Sequence, residues 1–306
     1  MNENAEPAAR ASALASLEQL EYEGMSKVLE ELGNNADSLS PQLASVYVDV
    51  LSRKAPAKAA GILNSVIASE GTSEEILRQK QKAFATLGNM KDSESEKAIS
   101  TALASLKGGS LATELQLDVI KACEVRGGSI ADAAAAYMKG LAEQKVIADR
   151  YLWAMKGGDV ARGEKVFREK TEVSCVRCHR INGTGGKVGP DLSGVGKQYD
   201  RRGVLESIVD PNLKIADGFG QIIVATDDGL MHTGVVKEET ETQLALMDKD
   251  GNVTWLEVDT IEGRKEGKSS MPEDLIEQLS SDELRDLVEY LSQRVTPVAP
   301  ANEGHE

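Results

Sequence analysis

At 306 residues the chain is long enough for two domains or more. Its 35 Lys and Arg stand against 50 Asp and Glu, a net charge of −15, which argues against nucleic acid and anionic membrane surfaces and fits basic protein partners or plain solubility. No apolar run approaches the length of a membrane span.

The first part of the chain, up to about Gln144, reads as helices separated by short polar breaks. A stretch from Ala8 to Leu32 predicts an N-terminal helical cap. Ser73-Glu74-Glu75-Ile76-Leu77 opens a helix that Gly88-Asn89 closes, and Gly108-Gly109 and Gly127-Gly128 mark later stops. Apolar residues return at a fixed step: Tyr47, Val48 and Leu51, then Ala83, Phe84 and Leu87, then Val119, Ile120 and Cys123. Ile62, Leu63 and Val66 recur in the same way as Ala98, Ile99 and Ala102, then Ala134, Ala135 and Met138. A helix pair at this spacing predicts an α-solenoid of HEAT-like type over residues 1–150. Cys123 and Tyr137 then belong to its core.

Tyr151 to Gly158 reads as a hinge into a second domain, 151–306, with Trp153 packing at the junction. Asp159 caps a helix in which Gly163 and Phe167 share one face. Next comes Cys175-Val176-Arg177-Cys178-His179. Two thiols two residues apart, followed by histidine, read as a c-type haem attachment site. Each thiol can add across a haem vinyl group, and the imidazole becomes the proximal iron ligand. A zinc site would need about four ligands, and outside the motif the chain offers only Cys123, His232 and His305. A redox dithiol would need a βαβ setting, whereas the preceding segment reads as helix.

Gly183 to Gly186 reads as a flexible loop, not a phosphate cradle, because a strand before it and a helix after it are missing. Gly189-Pro190-Asp191-Leu192 follows, then Arg201-Arg202, whose guanidiniums suit haem propionates. Lys187 and Lys197 are weaker candidates for that contact. Asp210-Pro211-Asn212 reads as a helix stop. From about 217 to 263 the pattern turns to strands: Ile222 to Ala225, Met231 to Val236, Thr242 to Met247 and Val253 to Val258, with turns at Asp227-Asp228-Gly229 and Asp250-Gly251. This predicts a four-stranded antiparallel β-meander curled into a small barrel. The carboxylates Glu238, Glu239, Glu241, Asp227 and Asp228 fall at turns and read as solvated surface. Beyond lie Ser270-Met271-Pro272 and an amphipathic run from Asp282 to Arg294, in which Leu284, Leu287, Val288 and Leu291 keep helical spacing.

This order resembles a class I cytochrome c: a Gly-x-x-x-aromatic helix, the haem motif, a Gly-Pro-x-Leu loop, a methionine loop and a closing helix. The resemblance implies that Gly163 lets the first and last helices cross closely. It also implies that the Pro190 carbonyl accepts the Nδ1 proton of His179, and that Met271 is the sixth iron ligand. Met231, Met247 and His232 compete for that place but fit strand faces better. With its β insertion, the stretch from about Gly158 onward resembles the haem-binding C-terminal domain common in planctomycete proteins. Gly158-Asp159, Gly163, Phe167, Cys175 to His179, Gly189 to Gly194, Ser207 to Asn212, the Asp228-Gly229 turn and Met271-Pro272-Glu273 carry that likeness.

The expected fold is therefore mainly α: a HEAT-like solenoid, then a class I-like cytochrome c domain with a small antiparallel β-meander. The expected function is single-electron transfer by one covalently attached haem c, between a donor domain or protein and an acceptor, without enzymatic turnover. The helical repeats would serve as scaffold or docking surface for a redox partner. The alternative is a haem-based enzyme or a gas- or peroxide-binding sensor with a labile sixth ligand. The start, Met1 to Pro7, is acidic and lacks the apolar core of a secretory signal. Covalent haem attachment occurs outside the bacterial cytoplasm, so the chain reads as a processed or excised piece of an exported, periplasmic protein with an added initiator methionine.

Overall fold

In a computed structural model that describes residues 5–71 and 73–295, the chain divides into two units, Met1–Lys139 and Gly140–Glu306. His305 and the first four residues lie outside the described residues.

The first unit is built from helices α1 (Pro7–Gln19), α2 (Met25–Asn34), α3 (Pro41–Lys54), α4 (Pro56–Ala68), α5 (Glu74–Asn89), α6 (Ser93–Lys107), α7 (Gln116–Arg126) and α8 (Gly128–Ala142). The repeating apolar positions fall on α3, α5 and α7 and on their followers α4, α6 and α8. Tyr47, Leu51, Phe84, Leu87, Ile120 and Cys123 are buried, as are Leu63, Ile99 and Ala134, while Ala135 is exposed. Alternate helices pack on one another, α5 on α7 and α4 on α6. Arg126 closes the end of α7 by donating to the carbonyls of Met90 and Asp92 and to the Ser95 hydroxyl. Burial pushes the Cys123 thiol up to about 11, so it stays protonated and packs as an apolar group.

The second unit starts with a 3-10 segment, Ile147–Ala154, which packs against α12 (Arg201–Val209) and α13 (Ser281–Ser292). Trp153 is buried there, and its indole donates to the Arg150 carbonyl. α9 (Val160–Glu169) starts where the Asp159 carboxylate accepts from the Arg162 amide. α13 starts with a reciprocal capping box between Ser280 and Glu283. These two helices cross so closely that a Cβ on Gly163 would lie 2.0 Å from the Asp286 carbonyl oxygen. One turn on, the Phe167 and Tyr290 rings pack with centroids 5.9 Å apart, a contact worth ~0.5–1.5 kcal/mol beyond its burial. The buried Asp286 carboxylate accepts from the Asp159 amide and, twice, from Arg162.

The strands form an open five-stranded antiparallel sheet in the order β6-β5-β4-β3-β7, not a barrel. They are β3 (Gly220–Thr226), β4 (Met231–Glu239), β5 (Gln243–Met247), β6 (Val253–Glu257) and β7 (Ile261–Ser269). Val224 faces His232 on one side and Arg264 on the other, and Leu244 faces Leu256. Val224, Leu244, Leu246 and Leu256 make the sheet's own core. The four expected strands are present; β7 extends the insertion past residue 263. Its run Ile261-Glu262-Gly263-Arg264-Lys265-Glu266 shows no apolar alternation. Such a charged strand is held by backbone pairing at a sheet edge, where charge guards against unwanted pairing.

In an uncrowded helix Gly→Ala stabilises by ~1 kcal/mol. Gly163→Ala is expected to destabilise instead, by ~1–3 kcal/mol, read as a lower denaturation midpoint; an unchanged or raised midpoint contradicts the close crossing. Glu289 is paired with Arg201 at 2.6 and 2.7 Å. Burial alone would raise its pKa, but the hydrogen bonds and charge of Arg201 outweigh that and hold it below 4.5. The pair's contribution is present above the unfolded value near 4.5 and disappears as pH falls through the lowered folded value. Thermal melts from pH 7 to 3 should therefore fall more steeply for the wild-type protein than for Glu289→Gln; parallel curves would rule this out.

Candidate haem cleft

The thiol motif forms a single helical turn, α10 (Cys175–Cys178), entered through Ser174 in a left-handed conformation (φ 44°). His179 closes the turn by donating its amide to the Cys175 carbonyl at 2.9 Å. The chain then makes a hairpin of β1 (Arg180–Ile181) and β2 (Thr184–Gly185) about Asn182-Gly183, both at positive φ. The following loop wraps back over the motif. Gly186 donates to the Val176 carbonyl and Gly189 to the Cys178 carbonyl, each at 2.9 Å.

These glycines correct the expectation of a flexible loop. A Cβ on Gly186 would lie 1.8 Å from the Arg177 carbonyl oxygen, and one on Gly189 would lie 2.6 Å from the His179 ring. The spacing reflects close packing on the motif, which a string of glycines in sequence does not distinguish from looseness.

Cys175, Cys178 and His179 line a cleft of about 1190 Å³, its open mouth included. Its walls are mostly apolar. Phe167 comes from α9, Leu287 and Leu291 from α13, Ile208 from α12, and Val188 and Leu192 from the loop over the motif. Met271 lines the same cleft, together with Pro272 and Leu275. The structure thus brings together residues about ninety positions apart. Met231, Met247 and His232 are not among the lining residues: they sit on β4 and β5, with Met231 exposed and Met247 buried.

The His179 Nδ1 lies 2.9 Å from the Pro190 carbonyl oxygen. A carbonyl can only accept, so Nδ1 carries the proton and Nε2 keeps its lone pair. Burial lowers the imidazole pKa, outweighing the Pro190 contact, so the ring is neutral at pH 7. A neutral, oriented imidazole is the form that binds a metal. Burial also pushes the Cys175 thiol up to about 11 and raises Cys178. Reactive dithiols lower their pKa instead, so these cysteines are poorly suited to thiol–disulfide exchange. The donor set fits haem c: two cysteines, one imidazole and one thioether around a largely apolar cleft. The Ser270 hydroxyl, also on the wall, is buried without a hydrogen-bond partner.

Arg201 and Arg202 do not line the cleft. Arg201 binds Glu289 and the Met155 carbonyl, and Arg202 binds Asp149 at 2.8 Å and Glu206 at 2.9 Å. Both tie α12 to its neighbours through ion pairs, and the structure does not bring them to the cleft where propionate contacts were expected. Lys187 and Lys197 are also absent from the lining. Lys214 is the one Lys or Arg on the described walls, with its ammonium 5.3 Å from the Tyr199 ring centroid. No local pattern marks Lys214, because its place depends on how the chain turns after the helix stop at Asp210. No group of His, Cys, Asp and Glu suited to a bare metal ion occurs among the described residues. No helix among them is long and apolar enough to cross a membrane.

Residues 160–247 match the cytochrome c family model. That stretch contains α9, the Cys175 to His179 motif and the chain as far as β5, and it stops before Met271. None of the curated proteins compared with the chain matches it. The second unit thus carries a cytochrome c-like domain.

The raised thiol pKa gives a direct check on protein prepared without haem. Cys175 should be alkylated by iodoacetamide at pH 8 roughly 100-fold more slowly than an unperturbed thiol, in proportion to its thiolate fraction. Labelling at the rate of free cysteine would contradict the burial described above.

Proposed function

We propose that the second unit is a mono-haem c-type cytochrome that passes single electrons between a donor and an acceptor. When bound, the haem supplies a one-electron iron couple. The chain supplies the rest. Cys175 and Cys178 would hold the group through two thioethers, and His179, oriented by the Pro190 carbonyl, would bind its iron. Met271 would supply the thioether ligand, and Lys214, on the cleft wall, would meet a propionate. The apolar walls exclude water, which with thioether ligation favours a raised potential. The observation that carries this reading is that the two cysteines, His179 and Met271 line one apolar cleft.

In this reading the helical unit is a HEAT-like scaffold or docking surface, and the redox partner is a protein, of basic character given the net charge of −15. The work is electron carriage rather than catalysis, in the periplasm or another exported compartment, and the domain resembles the planctomycete-type haem-binding domain. The test is spectroscopic. Ferric protein from a cytochrome-maturing host should show the sulfur-to-iron charge-transfer band of thioether ligation, and Met271→Ala should lose it with haem still attached. Survival of the band in Met271→Ala would discard Met271 as ligand, and tight CO binding by the wild-type protein would favour the sensor or enzyme reading.

A further inference from the structure

The β insertion leaves the cytochrome-like body through the segment after α12 and returns through the segment after β7. Both segments line the cleft, the first through Lys214 to Ala216, the second through Ser269 to Pro272. One side chain joins them. Asn212 Oδ1 accepts from the Ser269 amide at 2.8 Å, and its Nδ2 donates to Glu273 Oε1 at 2.6 Å. The orientation of the amide group is fixed by its partners, since a backbone N–H can only donate and a carboxylate can only accept. Asn212 thus grips the methionine loop two residues to either side of Met271. Within that grip the Met271 amide donates to the Ser269 hydroxyl at 3.1 Å, and Lys268 pairs with Glu273 at 2.7 Å.

The far end of the sheet reaches the opposite wall. Asp250, in the β5–β6 turn, pairs with Arg177, which lies between the two cysteines. A Cβ on the neighbouring Gly251 would touch Val188 at 3.9 Å. The insertion is therefore anchored to the thiol loop at its tip and to the methionine loop at its root.

We infer that Asn212 is a positioning residue: its two hydrogen bonds hold the Met271 loop against the cleft and set how readily the sixth coordination position yields to an external ligand. The inference rests on the proposed haem reading for its consequence, but not for the clamp itself. An outer hydrogen-bond partner of a metal ligand typically matters by ~10–100-fold in affinity or activity. Loss of the clamp should act on that scale, by raising the equilibrium population of an open loop.

The experiment uses the full chain matured with haem. In Asn212→Ala, cyanide binding to the ferric protein should quicken by about 10–100-fold, and the thioether charge-transfer band should weaken, with haem content unchanged. Asn212→Asp keeps the acceptor but loses the donor and sets two carboxylates together, so it should behave like Asn212→Ala. Pairing Asn212→Asp with Glu273→Gln restores both hydrogen bonds with one donor and acceptor exchanged, and should return cyanide binding towards the wild-type rate. That rescue would tie both readouts to these two hydrogen bonds, while an unchanged denaturation midpoint in Asn212→Ala separates positioning from a merely structural role. Glu273→Ala, at an exposed position, removes one arm together with the Lys268 pair, keeps the Ser269 arm, and should shift both readouts less, in the same direction. Wild-type cyanide kinetics and band in Asn212→Ala, or no rescue in the double variant, would overturn the inference. If the wild-type protein shows no haem or no thioether band, the functional reading fails separately. The clamp is then judged by amide exchange at Ser269: faster exchange in Asn212→Ala upholds it, and equal exchange rejects it.

Discussion

The close crossing of α9 and α13 is the constraint on which the second unit depends. Gly163 contributes no side chain, so the two backbones approach to a distance that no other residue permits. That approach sets Phe167 against Tyr290 and places Phe167, Leu287 and Leu291 on the cleft wall. It also buries the Asp286 carboxylate, whose charge is met by Arg162 and by the Asp159 amide that opens α9. A buried carboxylate deprived of such partners is strongly destabilising, so the same few atoms fix both the angle of the helices and the start of α9. The thiol motif follows α9 directly, and its position is inherited from that crossing.

Around this frame the chain lays two loops of opposite character. The thiol loop is closely wrapped: Gly186 lies against the Arg177 backbone, Gly189 against the His179 ring, and the Pro190 carbonyl orients the imidazole. The methionine loop has little regular structure of its own and is held from outside by Asn212 and by the end of β7. The β insertion thus contributes to the cleft by tying down the loops that carry the thiol motif and Met271.

The parts of this architecture that sequence reveals are those encoded locally. The helix pairs show in the return of Leu51, Leu87 and Cys123 at one step, and the helix starts at Ser73 and Asp159 show as capping residues. The Cys175 to His179 motif is legible because its chemistry fits within five residues. What stays hidden depends on tertiary return. β7 carries charges on both faces and is a strand only because β3 offers it an edge. Arg201 looks like a free cation in sequence and is bound by a glutamate 88 residues away. Lys214 and Asn212 lie beside a proline that reads simply as a helix stop, and their roles appear only once the methionine loop folds back beside them.

The central claim is that one haem is bonded to Cys175 and Cys178. Mass spectrometry of the proteolytic peptide containing both residues, from protein made in a cytochrome-maturing host, tests it most directly. The account predicts a single peptide carrying the full mass of haem on its two sulfurs. The same peptide recovered with two unmodified cysteines, from a host shown to mature other cytochromes, would contradict it.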